Sequence, residues 1–400
     1  MKTYIVGIGM NGINTLTKEC ENIIENADIL IGAKRMLEPF LHLNKKCFCT
    51  YAADEIVSII NENSDKNTAV LMSGDCGFFS GAKKLSALLG DSAEIVCGIS
   101  SPVYFCSKIG LNWEKMKFIS LHGHDDNIAV NVKMNRLCFF LLGGSATPSD
   151  ICSKLCQYEM GNTLIYIGEN LGYENEKITK GTASELISYV SDKLCVLIAE
   201  NNKYLDYIPS CISDDEFIRN TVPMTKSEIR SIAVSKLNIR STDICFDCGC
   251  GTGSVSVEMA YRCPDGKVYG FDVNNDAVNL TMQNSFKFGC DNIMAEHGDS
   301  VELIKSYADT IPDKAFIGGT KGGMNELVKL LFEKNPKIKL VITAVTIETL
   351  NNAMAVLDEL DAEINVSQIS VVHTEKIGNS TMFNAQNPVF IIEGEMKCEE

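Results

Sequence analysis

This sequence contains few positively charged residues relative to its negatively charged ones. Its 400 residues include 36 lysines and arginines against 52 aspartates and glutamates, which gives a formal net charge of −16. Because proteins that bind phosphate backbones need a basic surface, we expect no nucleic-acid partner. Long apolar runs are missing too, and the run after Lys2 has only the length of a strand, so neither a signal peptide nor a membrane span is indicated. We therefore expect a soluble, cytoplasmic protein without a membrane partner.

Paired metal ligands are also scarce. The chain has five histidines, of which only His122 and His124 lie close together in sequence. Its 17 cysteines include Cys245 and Cys248 at a C-x-x-C spacing, but a zinc site would need a second pair of ligands. These two cysteines also fall on a predicted strand, where residues three apart point to opposite faces. We expect reduced thiols in the core and no metal site.

The composition favours a large globular protein with more than one domain. Hydrophobic residues make up 45% of the chain, enough to bury sizeable cores. Strand and helix patterns alternate along both halves, which is typical of α/β proteins. A polar stretch near Asn201, followed by Pro209 and Pro223, separates the halves. We predict a first domain over residues 1–208, a linker over 209–222 and a second domain over 223–400.

The most informative motif lies in the second half. An apolar run over residues 244–246 precedes the glycine-rich stretch 247–253, which predicts a strand, a tight turn and a helix that begins near Ser254. Glycines let the backbone approach a ligand, and the start of a helix offers free N–H groups. A second predicted strand, residues 267–271, ends in Asp272, whose carboxylate is placed to accept hydrogen bonds from two ribose hydroxyls. Together these features predict a nucleoside site.

The glycine spacing and the neighbouring charge distinguish between nucleotide classes. Dinucleotide folds use G-x-G-x-x-G and hold a pyrophosphate at the start of the helix. Here the spacing is G-x-G-x-G, Ser254 stands in place of the third glycine of that fingerprint, and Asp247 lies just upstream. An acid beside the turn favours a cationic ligand, and S-adenosylmethionine carries an ammonium and a sulfonium. A glycine turn that binds no ligand is the alternative.

The N-terminal half contains its own glycine turn. Residues 7–12 match G-x-G-x-x-G, which alone is a weak indication of a dinucleotide site. Asp28 opens the next predicted strand and is badly placed to reach a ribose, whereas Lys34 and Arg35 close that strand and would suit the 2′-phosphate of NADP. An NADP-dependent reductase half joined to a small-molecule methyltransferase is therefore one alternative. Another is that one half is a silent binding or assembly module.

The turns at residues 7–9, 73–75 with 78–79, and 98–101 resemble those of the tetrapyrrole (corrin and porphyrin) methylases. Residues 120–124, 168–172, 178–179 and 181–182 resemble in particular the cobalamin-pathway C5-methyltransferase branch of that family. Cys76 stands where this family usually has proline, which could loosen the turn, but the flanking Gly74-Asp75 and Phe78-Phe79 keep the family pattern. The stretch 142–144 is richer in glycine than usual, which leaves that edge of the cofactor site less defined.

The second half resembles the decarboxylating C15-methyltransferases of the same pathway. The matching residues are 223–226, 247–253, 298–299, 316–319 and 344–350. The two resemblances cover nearly the whole chain, in the order found in the fused precorrin-6Y C5,15-methyltransferases (decarboxylating). They imply an α/β chain with a two-lobed tetrapyrrole methylase fold followed by a Rossmann-like class I S-adenosylmethionine-dependent methyltransferase fold.

The resemblance also implies two S-adenosylmethionine sites, methylation of a corrin precursor at C5 and C15, and decarboxylation of its C12 acetate. The implied cofactor residues are Gly7, Gly9, Gly74, Asp75, Ser100 and Ser101 in the first half, and Thr225, Gly249, Cys250, Gly251, Thr252, Gly253, Asp272 and Ser300 in the second. An electron-rich tetrapyrrole carbon attacks the sulfonium methyl directly, so no catalytic side chain is assigned. No cofactor beyond S-adenosylmethionine is implied.

The implied substrate carries many carboxylates, and an acidic protein needs local cations to bind it. Basic residues that follow predicted strand ends or lie in glycine turns are the candidates, although each is equally well explained as a solvated side chain: Lys34, Arg35, Lys83, Lys84 and Lys321. We also expect the protein to form a homo-oligomer.

Overall fold

The computed structural model describes residues 1–121, 126–191, 193–319 and 322–397. The chain divides into two compact units. The first comprises residues 1–125, 137–151 and 164–200, and the second comprises residues 126–136, 152–163 and 201–400. The sequence places residues 126–136 and 152–163 in the first domain, whereas they belong to the second unit. The domain bounds therefore remain a proposal.

Strands and helices alternate over most of the first 200 residues. They are β1 (Thr3–Gly7), α1 (Lys18–Asn26), β2 (Ile29–Gly32), α2 (Lys34–Leu37), β3 (Lys46–Cys49), α3 (Ala53–Glu62), β4 (Thr68–Met72), α4 (Ala82–Leu89), β5 (Ala93–Val96), α5 (Ser101–Ile109), β6 (Lys117–Ser120), α6 (Ala129–Met134), β7 (Leu137–Leu141), α7 (Pro148–Gln157), β8 (Leu164–Glu169), β9 (Lys177–Thr182) and β10 (Cys195–Glu200). Two 3-10 helices, Glu38–Leu43 and Gly90–Ser92, complete this part.

The first unit contains two five-stranded sheets. One has the order β3-β2-β4-β1-β5, and all of its pairs are parallel. The other has the order β6-β7-β10-β8-β9, in which β6 and β7 are parallel and the remaining pairs are antiparallel. Central strands such as β4 are apolar and buried along almost their whole length, as expected where both faces of a parallel sheet are covered. The two sheets confirm the predicted two-lobed fold.

The remaining elements alternate in the same way up to residue 369 and end in three further strands. They are a 3-10 helix (Asp214–Glu216), α8 (Ser227–Leu237), β11 (Ile244–Cys248), α9 (Ser254–Arg262), β12 (Lys267–Asp272), α10 (Asn275–Phe288), β13 (Ile293–His297), α11 (Ser300–Ser306), β14 (Lys314–Ile317), α12 (Met324–Lys334), β15 (Lys339–Ala344), α13 (Ile347–Glu359), β16 (Ala362–Ile369), β17 (Val372–Ile377), β18 (Ser380–Ala385) and β19 (Val389–Met396).

The second unit is built on a seven-stranded sheet of order β13-β12-β11-β14-β15-β19-β16. Its first five strands are parallel, and β19 runs antiparallel to both of its neighbours. Strands β17 and β18 form a separate hairpin. The order reverses at β11, because β12 lies on one side of it and β14 on the other. Open α/β sheets bind ligands at such a point, and the topology confirms the predicted Rossmann-like fold.

Helices cover both faces of this sheet and create two hydrophobic cores. Cys245 packs into one core, while Phe246 and Cys248 pack into the other. The two cysteines thus point to opposite faces of β11, as predicted, and cannot bind one metal ion together. Among the residues that the structure describes, no group of three or more histidine, cysteine or acidic side chains is arranged to hold a metal. In that same part of the chain, no helix has the length and apolar character needed to cross a membrane.

Candidate functional site

A cavity of about 620 Å³ opens at the carboxyl ends of β11, β12, β14 and β15 in the second unit. Five of the residues that the sequence assigns to the cofactor line it: Thr225, Gly249, Gly251, Asp272 and Ser300. They come from four separate segments of the chain, which the parallel sheet brings together at one edge. The cavity is therefore formed by the sheet topology rather than by any one motif.

The glycine turn needs its glycines because backbone segments meet there. Gly249 and Gly251 have φ angles of 86° and 57°, in the left-handed region that favours glycine. A Cβ on Gly249 would lie 2.8 Å from the carbonyl oxygen of Gly319, and one on Gly251 would lie 2.9 Å from that of Pro223. Any side chain at either position would displace a wall of the cavity. The turn thus packs against backbone on one side and faces the cavity on the other.

Asp272 is held in place by the turn beside it. One carboxylate oxygen accepts a hydrogen bond from the Gly251 N–H at 3.0 Å, and the other accepts one from the Asn274 N–H at 2.9 Å. Each oxygen has a second lone pair, so both can still accept a hydrogen bond from a ligand hydroxyl. The side chain is half-buried on the cavity wall. This geometry suits a pair of adjacent hydroxyls such as those of a ribose.

Three other residues assigned to the cofactor lie in the same turn without lining the cavity. Cys250 and Thr252 are buried, and the Cys250 sulfur accepts a hydrogen bond from the Thr281 hydroxyl at 3.4 Å. A Cβ on Gly253 would lie 2.8 Å from the Cα of Thr281. These residues dock the turn onto α10, so what they determine is the shape of the turn.

Asp247, the acid upstream of the turn, is fully buried and is not part of the cavity wall. Its carboxylate accepts a hydrogen bond of 2.5 Å from the Ser256 hydroxyl. Desolvation by burial raises the pKa of Asp247 to about 7, and the nearby charge of Asp272 acts in the same direction. The structure therefore places this acid beneath the turn, away from the ligand side where the sequence argument needed it.

A second cavity, of about 640 Å³, lies in the first unit. Gly74, Asp75 and Ser101 line it, whereas Gly7, Gly9 and Ser100 do not. Gly7 is enclosed instead, since a Cβ there would lie 2.6 Å from the backbone nitrogen of Gly98. Gly9 and Gly74 exchange two backbone hydrogen bonds, of 3.1 and 2.8 Å. These glycines let the ends of β1, β4 and β5 approach closely behind the cavity wall.

The turn that carries Asp75 is firmly held despite the cysteine that follows it. The two carboxylate oxygens of Asp75 accept hydrogen bonds from the N–H groups of Gly77 and Gly98, at 2.8 and 2.9 Å. The Cys76 thiol is buried and donates to the carbonyls of Ile5 and Val96 at 3.6 and 3.5 Å. Burial raises the pKa of this thiol to about 12. Cys76 thus contacts two strands of the sheet, β1 and β5, and the turn keeps its hydrogen bonds.

The basic residues proposed for the substrate are placed unequally. Arg35 lines the cavity of the first unit, while Lys34, Lys83 and Lys84 do not. Lys84 forms an exposed ion pair with Asp54 at 3.4 Å. Lys321 lies outside the described residues.

Sequence reasoning missed other residues of the cavity walls. Lys226 lines the cavity of the second unit. It belongs to the motif at residues 223–226, so that motif is the sequence signal that marks it. Gln386 and Asn387 line the same cavity from the far end of the chain, where no sequence signal marks them. Phe78 and Phe79 line the cavity of the first unit; they too lie in a quoted motif.

Comparison with known proteins agrees with this architecture. A family model described as Tetrapyrrole (Corrin/Porphyrin) Methylases matches residues 2–187, and one described as Precorrin methyltransferase domain matches residues 216–394. The chain is 35% identical over 195 residues to a probable cobalt-precorrin-6B C(15)-methyltransferase (decarboxylating) of Saccharolobus solfataricus, covering 48% of this chain and 98% of that protein. A protein of the same name from Pyrobaculum calidifontis is 38% identical over 189 residues, covering 46% and 96%.

Among solved structures, a precorrin-6Y C5,15-methyltransferase from Geobacter metallireducens is 29% identical, with a TM-score of 0.45, and covers 48% of this chain and 100% of its own. The relatives that are more than 30% identical are matched over nearly their whole length, which confirms the resemblance that the glycine turns indicate. The chain therefore belongs to the precorrin methyltransferases, with a half that matches the tetrapyrrole methylases followed by a half that matches the precorrin methyltransferase domain.

Proposed function

We propose that this protein methylates a corrin precursor at C5 and C15 with S-adenosylmethionine as the methyl donor. It also removes the carboxyl group of the C12 acetate as carbon dioxide, in the biosynthesis of cobalamin. The observation that carries the proposal is the match over nearly the full length of relatives named as decarboxylating C(15)-methyltransferases. It is supported by a second methylase match and a second cavity in the first unit.

Each cavity would bind its own S-adenosylmethionine. In the second unit, Asp272 would bind the ribose hydroxyls, while Thr225, Gly249, Gly251 and Ser300 would line the rest of the cofactor. In the first unit, Gly74, Asp75 and Ser101 would contact the cofactor. Gly7, Gly9, Ser100, Cys250, Thr252 and Gly253 would shape the turns from behind. We propose that the domain over residues 1–208 carries out the C5 reaction and that the domain over residues 223–400 carries out the C15 reaction.

The main contribution of the protein to the reaction is to position the methyl donor and the tetrapyrrole. S-adenosylmethionine supplies a methyl group activated by a sulfonium. The carbon–carbon bond to a bridging carbon of the tetrapyrrole would form as the carbon–sulfur bond breaks, S-adenosylhomocysteine would leave, and the methylated tetrapyrrole would lose a proton. The cavity walls hold the two reactants in line and exclude water. Side chains such as Asp272 act by fixing the position of the donor, so no nucleophilic side chain is required.

Decarboxylation does not require a nucleophilic side chain either. When the bond to the acetate carboxyl breaks, its electron pair passes into the conjugated system of the tetrapyrrole, and the remaining carbon is protonated. The substrate is thus its own electron sink. We assign this step to the second unit because the precorrin methyltransferase domain model matches residues 216–394, and the relatives that this chain matches over nearly their whole length are named as decarboxylating.

Mass spectrometry of the product tests the proposal. The full chain, incubated with S-adenosylmethionine and the corrin precursor, should give a product with two added methyl groups and one carboxyl group fewer. Calorimetric titration should find two S-adenosylmethionine sites and no binding of NADP. A single added methyl would indicate that one half is silent. NADP binding together with one S-adenosylmethionine site would favour a reductase half.

A further inference from the structure

The cavity of the second unit presents one basic side chain among its described lining residues, that of Lys226. The two acidic side chains on the same wall both accept hydrogen bonds from backbone N–H groups. Asp272 accepts from Gly251 and Asn274, and Asp299 accepts from Val301 at 2.9 Å. A substrate rich in carboxylates would meet repulsion from both acids, in a protein whose net charge is −16. Lys226 is therefore the group on that wall that can offset it.

The position of Lys226 in its helix is unfavourable by local rules. It occupies the N-cap of α8, where its side chain makes no capping hydrogen bond. Serine, threonine, aspartate and asparagine are preferred there, and a positive charge is disfavoured at the positive end of the helix dipole. Residues that break a local rule tend to do so at functional sites. Here the residue that breaks the rule faces a cavity.

A partly buried network of charged side chains lies beside Lys226. Its ammonium lies 3.6 Å from one carboxylate oxygen of Asp214, and the other oxygen of Asp214 lies 3.1 Å from the guanidinium of Arg230. Arg230 is fully buried, bonds to Glu258 at 2.7 Å, and donates to the carbonyl oxygen of Thr225 at 2.7 Å. The residue before Lys226 and the carboxylate beside it are thus both held by one immobile side chain.

The ammonium itself stays available to a ligand. The Lys226 side chain is 47% exposed, and its contact with Asp214 is long for an ion pair. An ammonium carries three donor hydrogens, so one can face Asp214 while the others face the cavity. An exposed pair of this kind contributes little to folding stability, so stability alone does not account for a lysine at this position.

We propose that Lys226 binds a carboxylate of the tetrapyrrole substrate in the cavity of the second unit, with Asp214 and Arg230 as positioning residues. This inference rests on the proposed function. It assigns to the C15 reaction a substrate contact in addition to the cofactor contacts of Thr225 and Asp272.

The test compares Lys226→Met with Lys305→Met in the full chain. Lys305 also forms ion pairs with two carboxylates, Glu302 and Glu326, at 3.2 and 2.9 Å, but lies outside the cavity wall. Loss of a charge-assisted hydrogen bond should raise the KM of C15 methylation roughly 10- to 100-fold in the Lys226 variant. The affinity of the second site for S-adenosylmethionine and the rate of C5 methylation should stay unchanged, as should every value for Lys305→Met. Lys226→Arg should recover most of the loss.

A double-mutant cycle tests the positioning role. Asp214→Asn alone should raise the same KM by a smaller factor, because the ammonium remains but is no longer directed. Added to Lys226→Met it should raise KM no further, since Asp214 acts through Lys226. An equal further increase in the double variant would overturn the positioning role.

Other outcomes distinguish a failure of the proposed function from a failure of the role proposed for Lys226. If the wild-type chain does not methylate the corrin precursor, the proposed function fails. If it does so and Lys226→Met leaves KM unchanged, or weakens S-adenosylmethionine binding as much as it raises KM, this inference fails while the function stands. A rise in KM in Lys321→Met without one in Lys226→Met would also overturn the inference.

Discussion

At the scale of single residues, Asp272 combines two tasks in one carboxylate, because it organises the glycine turn and faces the cavity. We predict that Asp272→Ala weakens S-adenosylmethionine binding to the second unit by one to two orders of magnitude, from roughly 1.5–3 kcal/mol of lost charge-assisted hydrogen bonds. The site in the first unit should be unaffected. Calorimetric titration that resolves the two sites measures both.

Asp276→Ala is the matched control, since this exposed carboxylate at the start of α10 does not line the cavity. Equal weakening of both sites by Asp272→Ala, or no effect on either, would show that the carboxylate is wrongly assigned. Asp272→Asn should lose less than the alanine variant, because it keeps one oxygen that accepts a hydrogen bond.

Asp247 makes stability depend on pH. Its pKa is raised from 3.8 to about 7 by burial, so over that interval the folded protein binds more protons than the unfolded chain. The free energy of unfolding must then fall as pH rises between these values. We predict that Asp247→Asn, which cannot ionise, reduces this fall. Urea unfolding of both proteins across the interval measures the difference, and an identical pH dependence in the variant would contradict the prediction.

The residues that the sequence could identify are those with a local signal. Gly249 and Asp272 follow apolar runs directly, and the strand–turn–helix pattern predicts where each lies. Lys226 lies in a motif that the sequence does show, but the direction of its side chain does not follow from that motif, because it depends on contacts with Asp214 and through it with Arg230. Gly7 was assigned to the cofactor on its motif alone, whereas the contact that requires a glycine there is with Gly98.

At the scale of elements, α6 begins on a carboxylate from far along the chain. Within the second unit, Asp291 accepts hydrogen bonds from the N–H groups of Ile128, Ala129 and Val130 at 2.8 to 2.9 Å. Since the first N–H groups of a helix have no partner inside it, this side chain is the cap of α6. We predict that Asp291→Ala lowers the free energy of unfolding by about 2 kcal/mol.

Thr346→Ala is the comparison for this cap. Thr346 caps α13 through one hydrogen bond, from the Thr349 N–H at 3.2 Å, and this cap is exposed. Its loss should therefore cost less than that of Asp291. Chemical denaturation followed by circular dichroism measures both variants, and an equal or larger loss for Thr346→Ala would argue against the role of Asp291.

Element bounds followed from the sequence where periodic apolar residues end at clear signals. The helix predicted to begin near Ser254 is α9, Ser254–Arg262. The strand predicted over residues 267–271 and closed by Asp272 is β12, Lys267–Asp272. The neighbours of β12 in the sheet, β11 and β13, are set by pairing that a single strand's residues do not reveal.

At the scale of the whole molecule, the sequence predicted two halves but not the composition of the second unit. Residues 126–136 and 152–163 belong to that unit although they precede the predicted linker by many residues. The contacts that place them there join positions more than 130 residues apart, such as Asn127 with Gly266 at 2.7 Å. A motif or a composition shift reports on neighbours in sequence, so neither could show this arrangement.

This composition leads to a prediction about separating the halves. A fragment of residues 211–400 keeps Ile212 and Asp214, which Arg230 binds, but it lacks the fully buried Val130 and the backbone groups that Asp291 caps. Loss of Val130 alone removes about 1.5–3 kcal/mol of apolar burial. We predict that the isolated fragment unfolds at a lower urea concentration than the same unit in the full chain, as followed by circular dichroism and hydrogen exchange of α9. Co-expression of residues 1–210 should raise the midpoint again, because that piece carries residues 126–136 and 152–163. An isolated fragment with the midpoint of the full chain would show that these segments add nothing to the stability of the second unit.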